Sequence, residues 1–200
     1  MIAQPYFYIN LLKKIVKEYL IQFKPFLLFL GKFIFTYLLL AFLYQSYLNQ
    51  YDAKNYEVDG ITKMVAHQSE QVLSVFDSKS YTMPNFAEPS VKLFYHGKWV
   101  ARIIEGCNAV SVMILFVAFV IAFKGKLWQT ILFILSGILL IHVFNILRIA
   151  LLCMAIYNYP NSQHILHGVV FPLFIYGVVF SLWVIWVNKF SVYAKKTATP

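Results

Sequence analysis

Long apolar runs joined by short basic connectors dominate this chain, and a single long polar stretch interrupts them. The first pattern is amphipathic. In 10–23 the apolar positions are 11, 12, 15, 16, 19, 20 and 23, a helical stripe that leaves Lys13, Lys14 and Lys17 on the other face. The stripe predicts a cytoplasmic interfacial helix within residues 1–24; it fits an extension of the next helix equally well. Residues 25–48 then read as a membrane span that starts at Pro25, with Lys32 snorkelling back to the near interface. Further apolar runs predict spans at 103–123 (starting at Ile103 or at Cys107), 127–157 and 168–188. A tight Lys124-Gly125-Lys126 turn separates the first two of these, and 158–167 reads as a short polar loop. Residues 189–200 form a basic tail.

The polar stretch, about 50 residues over 49–102, has its own pattern. Seven of the eight acidic residues lie between Asp52 and Glu105. Ile61, Met64, Val65, Val72 and Phe76 have helical spacing, which predicts a short helix over 61–76. Residues 91–103 read as two strands around His96-Gly97, a β-hairpin signal. The fold class expected is therefore an all-α integral membrane protein, with about four spans and a water-exposed segment holding one helix and one hairpin.

Composition agrees with that pattern. The 200 residues are 60% hydrophobic and 12% charged, with mean hydropathy +0.68. A soluble domain is about half apolar and a quarter charged, so lipid is the expected solvent. The net charge of +9 points to cytoplasmic connectors beside anionic lipid, not to nucleic acid. The cysteines, Cys107 and Cys153, are too few for a disulfide scaffold or an unaided metal site, and no cofactor is expected. No cleavage site follows the first apolar run, so it reads as a signal anchor.

Charge also sets the expected orientation. Lys13, Lys14, Lys17 and Lys24 precede the first span, Lys124 and Lys126 join the second and third, and Lys189, Lys195 and Lys196 follow the fourth. Both termini are then cytoplasmic, with 49–102 and 158–167 outside. Arg148 lies 21 residues after Leu127, or roughly 30 Å along a helix, which places it near the outer boundary. Cys107 opens the second span on that side, and His164 and His167 precede the fourth. Topology alone brings a thiol, a guanidinium and an imidazole to one depth.

Together these groups suit cysteine-nucleophile acyl transfer. A thiol becomes nucleophilic beside a cation or base. A His can take its proton and return it to a leaving amine. Arg148 can stabilise a thiolate or an oxyanion, and Asn145, three residues earlier, can support it. Each has a plainer reading when taken singly: a packed cysteine, a snorkelling arginine, a solvated histidine. Cys153, among Leu, Met and Ala, reads as packing. Trp183, Trp186 and Tyr193 read as interface anchors, and His67, His96 and His142 show no partner.

A Cys opening a membrane helix, then Asn145-Ile146-Leu147-Arg148, then a His before the final span resembles the exosortase/archaeosortase family. EGCNAVSVMILF, the KGK turn, NILRIALL and HGVVFPLFIYGVVFSLWVIWV look like its small XrtF-type branch, over roughly residues 100–188. The resemblance implies a multi-pass thiol peptidase and transpeptidase of the bacterial inner membrane, with its active site facing the periplasm. Its partners would be exported proteins whose C-terminus carries a short motif, a hydrophobic span and a basic tail. It implies Cys107 as nucleophile, Arg148 as stabiliser and one essential His. His167 is favoured as closer to the last span, with His164 as the alternative. The competing class is a non-enzymatic scaffold or assembly partner of an export system, built around 49–102. A transporter does not fit, because no acidic residue lies within a span and no internal repeat is present.

Overall fold

A computed structural model describes the backbone of residues 4–191, and side chains from Lys17 onward apart from Leu20 and Ala53. The amphipathic stripe at 10–23 falls largely on side chains outside that description, as do Tyr193, Lys195 and Lys196. Helix α1 (Gln4–Leu48) is continuous for 45 residues and passes through Pro25. The expected helix start at Pro25 is therefore absent. The proline removes one N–H from the helical ladder, a loss that helices in apolar surroundings tolerate.

Helix α2 (Gly60–Ser74) follows a short turn and is capped by Asp59, whose carboxylate accepts from the Thr62 N–H at 2.9 Å. Its buried face is Thr62, Val65, Ala66, Ser69 and Leu73. That face is rotated from the one predicted: Met64 and Phe76 are exposed, and smaller residues turn inward. Small side chains let α2 approach its neighbours closely, and Ser69 satisfies its hydroxyl on the Val65 carbonyl at 2.8 Å.

The predicted hairpin forms, as β2 (Val91–Tyr95) and β3 (Lys98–Ile103). His96 and Gly97 both have positive φ, 50° and 71°, as a two-residue turn matched to strand twist requires. A third strand, β1 (Tyr81–Pro84), pairs antiparallel with β2. Its short length and terminal Pro84 hide it in the sequence, because proline is tolerated only at edges and ends of strands. Strand β2 alternates, with Val91, Leu93 and Tyr95 buried against α2.

Helix α3 (Val110–Ala122) has 13 residues, so it is about 20 Å long. The span expected over 103–123 is cut short because Ile103 still belongs to β3 and 105–107 form a tight turn. Helix α4 (Leu127–Asn158) runs for 32 residues. Helix α5 (Pro160–Phe190) opens with a 3-10 turn and carries π-type turns at Leu166–Val170 and Trp186–Phe190. The polar loop expected over 158–167 is thus mostly helical, with Pro160 at a first-turn position that suits it.

Among the described residues, three helices are long and apolar enough to cross a membrane: Ile21–Leu48 within α1, then α4 and α5. Phe35, Phe42, Leu132, Leu173 and Phe180 are among many large apolar side chains left exposed on them. Such a surface needs lipid, and the protein is membrane-embedded.

The helices fix which ends lie together. Phe29 of α1 packs on Phe123 at 4.6 Å between centroids, next to the Lys124–Lys126 turn. Gly125 bridges to Ser191, so the end of α5 joins the same side. At the opposite side Tyr44 meets Asn108, and there α2 and the sheet sit on the last turns of α4 through Ile149, Ala150 and Cys153. Trp186, expected as an interface anchor, is fully buried beside Phe133 and Phe190, and Trp183 stacks on Phe119 at 4.3 Å.

Candidate active site

A short turn joins β3 to α3, and Cys107 is its last residue. Extended backbone at Ile104 leads into the turn Glu105–Cys107, closed by hydrogen bonds from the Cys107 N–H to Ile104 O (2.9 Å) and from the Asn108 N–H to Glu105 O (3.1 Å). Ala109 then adopts φ 63°, a left-handed conformation that costs a non-glycine residue about 1–2 kcal/mol. Side-chain hydrogen bonds of Asn108 and Asn145 hold this turn in place. Asn108, buried, donates to Tyr44 Oη (2.8 Å) and Thr62 Oγ1 (3.1 Å), and its Oδ1 accepts from the Val110 N–H (2.9 Å). One asparagine thus ties the turn to α1, α2 and the start of α3. Asn145 of α4 donates to the Cys107 carbonyl at 2.8 Å.

Asn145 lies 18 residues beyond Leu127, about 27 Å along α4, and Arg148 is the next residue on its face. A cavity of about 210 Å³ lies here. Cys107, Arg148 and His167 all line it. Arg148 Nε and Asn145 Oδ1 are buried with no hydrogen-bond partner among the described residues. A buried guanidinium N–H without a partner is a costly arrangement unless something else uses it.

His167 reaches the cavity from α5 on the same face as Gln163, four residues earlier. His164 does not line it; it follows Gln163 directly, about 100° further round the helix. Cys153, expected as packing, is fully buried, and it forms part of the cavity wall. The other histidines do have partners. His67 lies 3.8 Å from Glu70, His96 lies 3.4 Å from Asp77, and His142 hydrogen-bonds Gln68 at 2.8 Å, joining α4 to α2.

Two polar residues of the cavity lining were not anticipated. Gln163 is one. The other is Arg102 of β3, which pairs with Glu88 while it borders the cavity. The hydrogen bond and charge of Glu88, with a smaller contribution from the Cys107 side chain, hold the Arg102 pKa above its ordinary value. Strand alternation cannot reveal Arg102, since it depends on how the hairpin docks on α4. Of the two arginines at the cavity, Arg102 is paired with Glu88, while Arg148 keeps its buried Nε without a partner among the described residues. A guanidinium of the second kind can stabilise a thiolate or a developing oxyanion. No group of three or more His, Cys, Asp or Glu among the described residues is placed to hold a metal ion.

No curated protein and no solved structure matches the chain. The family model for transmembrane exosortase (Exosortase_EpsH) matches residues 21–188, from the apolar part of α1 almost to the end of α5. The match reaches further toward the N-terminus than the motifs between 100 and 188 foretell, and it takes in all three long apolar helices as well as the Cys107 turn. The chain therefore belongs to the transmembrane exosortase family, and that membership points to a membrane-embedded cysteine transpeptidase.

Proposed function

We propose that this protein cleaves C-terminal sorting signals of exported proteins through a thioester on Cys107, at the outer face of the bacterial inner membrane. The observation that carries this reading is the shared cavity: Cys107, Arg148 and His167 line it together, and Arg148 offers a buried N–H that no described residue uses. Lysines Lys124, Lys126 and Lys189 lie at the opposite end of the bundle, as the positive-inside rule requires if the cavity faces the periplasm. Helix α3, short as it is, serves as a fourth crossing in this reading. Its short length favours a position for Cys107 just within the outer boundary.

The chemistry follows from the residues. His167 takes the thiol proton, and the Cys107 sulfur attacks the scissile carbonyl. Arg148 holds the oxyanion of the tetrahedral intermediate. The C–N bond breaks, and the leaving amine takes the proton from His167. The exported protein remains as a thioester on Cys107. An acceptor nucleophile or water then attacks that carbonyl, forms the new bond and frees the thiol. The leaving segment, a hydrophobic span with a basic tail, stays in the bilayer. The resemblance of the motifs around Cys107, Arg148 and His167 to those of the small XrtF-type branch supports reading the chain as a member of that branch.

Co-expression with a tailed substrate tests the reading. Cys107→Ala abolishes processing, and mass spectrometry of the native enzyme finds an acyl adduct on Cys107. Arg148→Ala slows processing by about 10²–10³-fold, as loss of an oxyanion donor does. Unchanged processing by Cys107→Ala would falsify the mechanism and favour a scaffold built around 49–102.

A further inference from the structure

The cavity is bordered by five consecutive residues: Val100, Ala101, Arg102, Ile103 and Ile104. Successive side chains of a strand leave opposite faces, so one face can supply only alternate residues. A space that touches all five runs along the edge of the strand, where the backbone itself is presented. The sheet order β1-β2-β3 puts β3 on the border of the sheet, with no strand beyond it among the described residues. The Ala101 carbonyl accepts from the Trp99 indole at 2.9 Å, a side-chain bond outside the ladder that an added strand would share or displace. A bulge opposite Leu93 and Phe94 re-aims the strand at this point.

An unpaired edge is a template for another extended chain. This edge also has a direction and an end. It runs from Lys98 through Ile104 and delivers the backbone to Cys107 after one turn. We infer that the exported protein's segment just before the scissile bond adds to β3 as a fourth strand, parallel to it, and so presents its last carbonyl to Cys107. The inference rests on the reading of Cys107 as the acylated nucleophile. Parallel pairing follows from that reading. The retained acyl portion must end at the thiol, so its N-to-C direction is that of β3. Backbone pairing supplies binding that is indifferent to most side chains, which suits an enzyme that accepts many cargoes joined to one short motif.

The test uses the full chain in lipid nanodiscs. The probes are alanine peptides, from dipeptide to hexapeptide, with a vinyl sulfone in place of the scissile carbonyl. Adduct formation on Cys107 is followed by mass spectrometry, beside iodoacetamide as a small thiol reagent. The expected result is an adduct rate that climbs with peptide length. N-methylation of alternate amides should lower it by about fivefold or more per position, while methylation of the intervening amides leaves it unchanged. If neither length nor alternation matters while iodoacetamide labels Cys107 in an Arg148-dependent way, pairing on β3 is wrong and the thiol site stands. If Cys107 resists iodoacetamide as well, the catalytic reading falls and this inference with it.

Discussion

The core under the sheet and the core between the long helices share α4 but little else. Under the sheet, Val65, Leu73, Leu93 and Ile103 are sealed by polar groups that have partners. Thr62 accepts from Asn108, Ser69 donates to Val65 O, and Asn85 donates to Ser90 Oγ at 2.9 Å. Between the helices, Phe116, Ile141, Val179 and Trp186 pack with Phe133 and Phe190, and two indole N–H groups, of Trp183 and Trp186, are buried without a partner among the described residues. The first core is built like that of a small globular domain, docked on α4 through Ile149, Ala150 and Cys153. The second excludes lipid rather than water, so packing, not the hydrophobic effect, must hold it. Cys107 lies at their seam. Its turn is tied by Asn108 to α1 and α2 above, and by its carbonyl to Asn145 of α4. On the proposed reading, Cys107 would there meet an extended substrate segment on one side and a membrane-held leaving segment on the other.

The sharpest way to break the comparison is to delete equivalent bulk from each core. Leu73 and Ile141 are both fully buried. Leu73→Ala should cost about 2–5 kcal/mol, because it forfeits transfer from water as well as packing. Ile141→Ala should cost clearly less, because its alternative environment is lipid. Hydrogen exchange of β2 and of α4 amides, read separately in micelles, gives both values. Equal costs would mean the two cores are of one kind.

Adding bulk probes the helical core from the other direction. A Cβ on Gly137 would stand 2.2 Å from Cζ of the fully buried Phe116, so α3 and α4 approach closely only because that carbon is missing. Gly137→Ala should destabilise by about 1–3 kcal/mol. Gly177→Ala, where nothing lies within 4 Å, should be neutral or slightly stabilising through helix propensity. Thermal denaturation in detergent distinguishes them.

At the seam, Asn108→Ala removes two side-chain donors and the acceptor that caps α3. About 1–2 kcal/mol of stability should go. The more telling effect is on the thiol: iodoacetamide labelling of Cys107 should lose its dependence on Arg148, since the turn is no longer held at one position. Thr62→Ala, which removes a single acceptor, should retain that dependence.

These seam contacts also mark where the sequence stops being legible. The long apolar runs, the α2 segment and the β2–β3 hairpin can be read because their periods are local. Cys107, Arg148 and His167 can be assigned to one end because helix rise and lysine placement are one-dimensional facts. Asn108 cannot be singled out in that way. Its role comes from meeting Tyr44 and Thr62, 64 and 46 residues away. Trp186 misleads for a related reason, since a tryptophan near the end of a span looks like an anchor until Phe133 and Phe190 cover it. The helix expected over 103–123 starts later than the sequence suggests, because apolar character continues through Ile103 and Ile104 although the hairpin has already claimed the first of them for β3.

The smallest expected effect is a pH dependence that separates two carboxylates of the water-facing part. Partial desolvation pushes the Asp77 pKa up, but backbone N–H groups of His96 and Lys79, the His96 charge and the Ser80 hydroxyl outweigh it, and the pKa lies below its ordinary value. Glu88 is lowered as well, chiefly by its hydrogen bond from Arg102. A depressed carboxylate stabilises the fold above its ordinary pKa of about 4, and the contribution fades as pH falls through the lower folded value. Acidification below about pH 4 should therefore loosen both, but with different consequences. Asp77 holds the His96 amide at 2.8 Å in the hairpin turn, remote from the thiol. Asp77→Asn should abolish the acid-induced rise in His96 amide exchange and leave Cys107 labelling unchanged. Glu88 holds Arg102, which borders the cavity. Glu88→Gln should change Cys107 labelling at neutral pH by freeing that guanidinium. If both variants alter labelling alike, the sheet acts on the thiol as a whole and Arg102 has no separate part in it.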